Sequence, residues 1–458
     1  MKPNWCGCDG YGNLEAKADH SSPHPLTPAP CHPLTLSRRQ SLLGAGLATV
    51  AWLTRGATAL ADLAVNPHER EPEHDVLVTI FLRGGADGLN IIVPYGEDAY
   101  HRNRQTIGIA APQDRRQGAA NRALDLDGFF GFHPALAPLY PLYKKGLLAC
   151  VHAVGSGDQT RSHFEAMSAM ERGLPDDRIG TVSGWLARHL SSTHGDNASP
   201  LRAVALSSTM PDSLRGATEA TALNSLAEFR LLLPDSVGKE RSAELRQALG
   251  EFYKDGKDAV AAAGRETLAV LEALNRIDPA NYRPTNGAIY PGSELGNGLR
   301  QVACLIKGRV GLEVACLDHR GPRLWDTHVA QGGVFTVQVD DLAKCLAAFA
   351  ADMGREMNRV TVVVMTEFGR RVQENSGLGT DHGRASMMML MGGGIVGGKV
   401  FAKWPGLEDD DLEPPGDLRV TTDYRDVLAE IVSRRLHHEN LSAVFPNYTP
   451  RFLGVVKA

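Results

Sequence analysis

A run of β-branched residues that ends on a carboxylate constrains this chain more than any other stretch. Residues 360–371 read V-T-V-V-V-M-T-E-F-G-R-R; a Gly/Ser-rich loop follows, then G-T-D-H-G-R and the apolar run S-M-M-M-L-M-G-G-G up to residue 394. A short, wholly apolar, β-branched segment suits a strand of a parallel sheet that is covered on both faces. Its end at Thr366-Glu367 sets a carboxylate at the strand terminus. Roughly fourteen residues on, Asp381-His382-Gly383 puts a second carboxylate beside an imidazole on a glycine-flanked loop. Oxygen and nitrogen donors in that combination suit Zn²⁺ or Mn²⁺, and Ca²⁺ less well. The remainder of the chain then has to supply matching groups.

Three further segments do. Residues 75–82 (D-V-L-V-T-I-F-L) read as a first buried strand that breaks into R-G-G-A-D-G-L-N. Asp87 there is either a turn-capping side chain or a metal ligand, and the Asp-Gly pair fits both. Residues 147–154 form a second core strand leading into G-S-G-D-Q-T-R-S-H-F-E-A, so Thr160 or Ser162 stands at the start of a helix that closes at Gly173. A hydroxyl in that place caps the helix; backed by the helix dipole and a metal, it can also act as a nucleophile. Residues 202–206 and 311–317 read as two more strands. Beyond the second comes Trp325-Asp326-Thr327-His328, an Asp-x-His spacing that projects both side chains to one side of an extended segment. Asp326 either joins His328 on a metal or orients it by hydrogen bonding.

Helical patterns alternate with these strands: about 133–146, 181–190, two helices over 236–277, one over 293–307, another over 341–353, and a last one capped by Asp423. That alternation predicts an α/β fold, a central and mostly parallel sheet with helices on both faces. Strand ends of one polarity then share one edge, where ligands bind. The candidate metal ligands are Asp87, Asp326, His328, Glu367, Asp381 and His382, for one or two divalent ions. Ser162, or Thr160, is the candidate nucleophile. Arg161 is placed to steady an oxyanion, and His163 to act as ligand or general acid. Arg83, Arg370, Arg371 and Arg384 accompany the same segments and carry N–H forks suited to phosphate or sulfate.

The N-terminus reads as an address. Ser37-Arg38-Arg39-Gln40-Ser41-Leu42-Leu43 resembles a twin-arginine export motif after a Pro/His-rich leader of 36 residues. The apolar stretch behind it, 42–53, is too short to span a membrane. Residues 1–61 are thus expected to be a signal segment, 62–74 a linker and 75–458 one α/β domain, exported to the periplasm or beyond by the twin-arginine machinery. Of the seven cysteines, Cys150, Cys304, Cys316 and Cys345 remain behind the leader, in apolar surroundings that predict buried thiols. A net charge of −5 excludes a general electrostatic attraction for nucleic acid or anionic membrane.

Taken as a set, F-L-R-G-G-A-D-G-L-N, T-R-S-H-F-E-A, W-D-T-H, T-E-F-G-R and G-T-D-H-G resemble the bacterial exported family catalogued as domain of unknown function 1501, over about residues 75–455. That family in turn resembles the alkaline phosphatase/sulfatase superfamily. The resemblance implies an alkaline-phosphatase-like fold, a hydroxyl nucleophile at a helix start, and one or two metals on Asp87, the Asp326/His328 pair and Asp381-His382. It also implies a phosphate or sulfate ester substrate, small or carried on a glycan. Thr366-Glu367-Phe368 stands where many superfamily members carry Asp-His, and the absence of Cys-x-Pro-x-Arg argues against a formylglycine sulfatase. The alternative from another class is a non-catalytic exported module that keeps its metal to bind a cell-surface glycan or partner.

Overall fold

The computed structural model describes residues 74–174, 182–193, 197, 199–229, 231, 239–321 and 324–457. The signal segment expected over 1–61, and the linker apart from its last residue, lie outside the described residues. Nine strands of the described residues build one sheet: β1 (Val76–Leu82), β2 (Leu148–Gly155), β3 (Ala203–Ala205), β4 (Ala220–Ala222), β5 (Val314–His319), β6 (Val360–Met365), β7 (Ser386–Gly392), β8 (Val400–Phe401) and β9 (Thr422–Asp423). Their order is β8-β2-β7-β6-β1-β5-β3-β4, and β9 also pairs with β2. β7 is antiparallel to both its neighbours, while every other pairing is parallel. The carboxyl ends of β1, β2, β5 and β6 therefore meet the start of β7 along one edge.

Seven helices matter for the layers: α1 (His163–Arg172), α2 (Trp185–Ser192), α3 (Lys239–Lys254), α4 (Ala259–Ile277), α5 (Glu294–Lys307), α6 (Gln331–Met353) and α7 (Tyr424–Arg434). Side chains of a strand alternate between faces, and β1 shows what each face meets. Val78, Ile80 and Leu82 join one core with Val270 of α4, Leu299 of α5 and Leu342 of α6. Leu77 and Phe81 join the other with Met170 of α1, Leu186 of α2 and Leu428 of α7. The fold is α/β, a mostly parallel sheet between two helical layers. Each such buried aliphatic side chain contributes about 1.5–3 kcal/mol.

Helix ends follow the local chemistry. Ser293 accepts the Gly296 N–H at the start of α5, Asp423 accepts the Arg425 N–H at the start of α7, and Gly173 closes α1 in a left-handed conformation. Two expectations need correction. The helix expected at 341 begins at Gln331, because Gly332, Gly333 and the β-branched Val334, Thr336 and Val337 weaken the helical signal, while Phe335 and Val339 pack into the core and override it. The segment 133–146 divides into a 3₁₀ stretch, Pro134–Leu139, and one α-turn, Tyr140–Lys144, since Pro138 and Pro141 cannot donate backbone hydrogen bonds. The run from Ser386 enters the sheet antiparallel, a direction that composition cannot encode.

Candidate metal centre

Every group of interest sits at the shared strand edge. β6 ends at Met365, so Glu367 falls just beyond it, wholly buried, and its Oε1 accepts the Gly84 N–H at 2.8 Å. Gly84 has φ +119°, and a Cβ there would stand 2.7 Å from Trp325 N, so only glycine lets these two loops meet. Trp325, fully buried, pins the loop after β5 through its indole N–H to His319 O at 3.1 Å and its backbone N–H to Arg83 O at 2.8 Å. Asp326 thereby faces the edge. His163 is the first residue of α1. His382 is held where its loop pairs with Arg370, and Gly383 donates to Gly369 O at 2.9 Å in a space too tight for a side chain.

These three segments bring three imidazoles and a carboxylate to one point. His382 Nε2 lies 3.1 Å from His163 Nε2, 2.9 Å from His328 Nε2 and 3.0 Å from Asp326 Oδ1. Asp326 Oδ1 is also 3.1 Å from His328 Nε2, and its Oδ2 is 3.5 Å from His163 Nε2. Neighbouring ligand atoms of a tetrahedral zinc stand about 3.3 Å apart, from bonds of about 2.0–2.1 Å. The four side chains are between a fifth and two-fifths exposed, so the point is reachable from solvent.

The other ring nitrogens fix the tautomers. His163 Nδ1 faces Glu367 Oε1 at 2.8 Å, and His382 Nδ1 faces the Arg161 carbonyl at 3.0 Å. A carboxylate and a carbonyl only accept, so each Nδ1 carries a proton, and each Nε2 presents a lone pair when its ring is neutral. His328 Nδ1 lies 3.4 Å from Asp381 Oδ1, which Asn375 Nδ2 also holds at 3.0 Å. Lone pairs of neutral rings and a carboxylate oxygen pointed at one another repel unless a cation lies among them. A proton can play that part. Burial lowers the His163 pKa, but Asp326 and Glu367 outweigh it and raise it to about 9. Burial would raise the Asp326 carboxyl, yet the three histidines and Arg370 drive it far below its usual range.

The sequence-stated candidates divide accordingly. Asp326, His328 and His382 meet at the point, and His163, expected as ligand or general acid, is brought to it as well, its Nε2 3.1 Å from His382 Nε2. Glu367 and Asp381, expected as ligands, instead touch the far nitrogens of His163 and His328. Asp87 is not brought in. It is fully buried, its Oδ2 bonded to Arg104 Nη1 at 2.6 Å and Gln331 Nε2 at 2.6 Å, and its Oδ1 has no hydrogen-bond partner. Among the described residues, one cluster of His, Cys, Asp and Glu side chains has metal-holding spacing, and it contains His163, Asp326 and His382.

Thr160 and Ser162 also part company. The Thr160 hydroxyl bonds Glu165 Oε2 at 2.6 Å and accepts the Ser162 N–H at 3.1 Å, which makes it a brace for the start of α1. Ser162 occupies the N-cap position, but its side chain makes no capping bond. The arginines are matched to carboxylates: Arg83 to Glu171 and Asp318, Arg161 to Asp417, Arg384 to Glu413. Arg370 is a buried staple, bonding Asp326 Oδ1 at 2.6 Å, Gly85 O at 2.6 Å and Trp325 O at 3.1 Å. Arg371 is the most loosely held, 3.7 Å from Asp381 and 3.9 Å from Asp417. Asn375 and Asp417 had no sequence signal, since each acts through a fold contact. The four cysteines are buried and free, as their apolar settings predict.

A family model described as protein of unknown function (DUF1501) matches residues 74–440. The chain belongs to that family. The matched span of this DUF1501 member contains all four converging side chains, their outer partners and the staple Arg370. No curated protein matches the chain.

Proposed function

We propose that the chain is an exported, metal-dependent hydrolase of phosphate or sulfate esters, with His163, Asp326, His328 and His382 as ligands of one divalent ion. The observation that carries this reading is that His163 Nε2, His382 Nε2 and an Asp326 carboxylate oxygen stand at metal-holding spacing, with His328 Nε2 2.9 Å from His382 Nε2 and acceptors behind the His163 and His382 rings. Three nitrogens and one oxygen favour zinc over calcium, which prefers oxygen. A bound zinc ion would supply Lewis-acid polarisation of the ester oxygen and a lowered pKa for a water or hydroxyl beside it.

The protein's own groups do the rest. Ser162, next to His163 and not engaged in capping, would attack or hold an attacking water. Glu367 and Asp381 keep the His163 and His328 rings oriented. Arg371, loosely held and about a third exposed, is the guanidinium best able to turn toward a substrate oxyanion. The parallel sheet with its ligands at the carboxyl edge supports an alkaline-phosphatase-like arrangement. The motif at residues 37–43 supports export through the twin-arginine pathway to the periplasm or outside, and no described helix is long and apolar enough to cross a membrane.

The test is turnover of a panel of aryl and alkyl phosphate and sulfate esters by the zinc-loaded protein. Chelator-sensitive hydrolysis that disappears in His382→Ala is expected. Fully metallated protein that hydrolyses no member of the panel contradicts the reading and leaves a metal-holding module for a glycan or protein partner.

A further inference from the structure

Beside the cluster, on the α1 side of the sheet, lies a pocket of about 430 Å³. His163 and Glu367 form part of its wall, so pocket and cluster share one imidazole. Phe81, Phe164, Met167, Trp185, Met210 and Met365 give it an apolar, sulfur-rich lining. Its strongest charges are already matched: Arg83 is bonded to Glu171 at 3.0 and 3.1 Å and to Asp318 at 2.8 Å. The other charges of the wall away from the cluster are paired too, Arg320 with Asp318 at 3.1 Å and Asp212 with Arg215 at 2.7 Å, so the wall offers no unmatched charge to an ionic group. Ligand pockets run about 300–1,000 Å³, and a cavity of about 150 Å³ already admits benzene, so there is room for a fused ring.

A second observation points the same way. Four large apolar side chains that are strongly exposed lie within three residues of the cluster or its outer partners: Phe164 after His163, Leu324 before Asp326, Val329 after His328 and Leu378 before Asp381. Phe164 alone is 84% exposed. Chain segments that carry polar ligands in and apolar side chains out fit a ligand with a charged end and an apolar body.

We infer that this pocket binds the apolar, ring-bearing group of the substrate, so that the ester acted on is an aryl or polycyclic one. Methionine sulfur and ring edges make favourable contacts with aromatic faces, and the Met167 and Met210 side chains are the adaptable part of the wall. The identity of the charged end rests on the hydrolase reading; the pocket's affinity for the ring does not.

Fluorescence titration of the zinc-loaded, full-length protein with 1-naphthol, the alcohol that a naphthyl ester would release, tests this directly. Saturable binding is expected, weakened at least tenfold in Met210→Trp and in Met167→Trp, each checked for wild-type zinc content and melting temperature. Glycerol serves as the polar control and should not compete. Absence of saturable naphthol binding to the wild-type protein overturns the inference, as does equal binding by both folded variants. Naphthol binding without turnover of any ester removes the hydrolase reading and keeps the pocket; turnover of small esters without naphthol binding does the reverse.

Discussion

Asp87 and Asp326 both follow a strand at the same sheet edge, and they live in opposite electrostatic surroundings. Asp87 is sealed from solvent and answered by the equally buried Arg104 at 2.6 Å, with Gln331 as a second donor. Asp326 is about a third exposed and meets three imidazoles as well as Arg370. Glu367 and Asp381 lean on the same rings from behind. In one set the charges cancel without a ligand, though Asp87 Oδ1 stays unpartnered. The other gathers ring nitrogens and a carboxylate oxygen that a shared proton or a bound cation would reconcile. Charge matching inside the folded chain, more than residue type, separates a structural acid from one free to bind.

The largest effect should come from breaking the closed set. Arg104→Ala leaves Asp87 buried without its cation and should cost about 3–5 kcal/mol of stability in a denaturant melt, with zinc content per folded molecule unchanged. A loss of zinc there would erase the distinction between the two sets. Another closed set, Glu313 with His189 at 2.7 Å and Arg202 at 2.6 Å, tests the same idea by pH. Burial pushes the Glu313 carboxyl up, but those two partners outweigh it and hold its pKa at about 2, down from 4.5. A depressed carboxyl stabilises the fold above about pH 4.5 and loses that contribution as pH falls toward 2. Glu313→Gln should therefore be less stable by about 3 kcal/mol at neutral pH and show a flatter acid limb; an unchanged acid limb would mean that the pair adds nothing.

Smaller effects belong to the open set's outer partners. Glu367→Gln should weaken zinc binding by about 10–100-fold while the fold persists, because the residue orients His163 without touching the ion. Complete loss of zinc would make it a ligand. Asn375→Ala should matter least, less than about tenfold in zinc affinity, since it acts on His328 only through Asp381 and the His328 carbonyl, at 3.0 and 3.1 Å.

Much of the scaffold was legible because it obeys local rules. The buried strand before Glu367 and the helix closing at Gly173 follow from residues close in sequence. The convergence of Asp326, His328 and His382 followed from one topological rule, that parallel strands share an edge. Roles within the set were another matter. Whether a carboxylate meets a metal or the back of a histidine depends on which side of the imidazole ring it reaches, which no spacing in the chain encodes. Asp87 could not be separated by eye, because its decisive partner, Arg104, lies on a short helix-end turn that carries no motif. Likewise, Thr160 and Ser162 look interchangeable until Glu165 claims the threonine.

The most direct measurement is elemental analysis of the purified protein beside its His382→Ala variant, after equilibration with zinc and removal of loosely held ion. About one zinc per chain in the wild type, and close to none in the folded variant, is the result expected from ligand atoms meeting at one point. Wild-type protein without bound metal, or a variant that keeps its full zinc content, would contradict it.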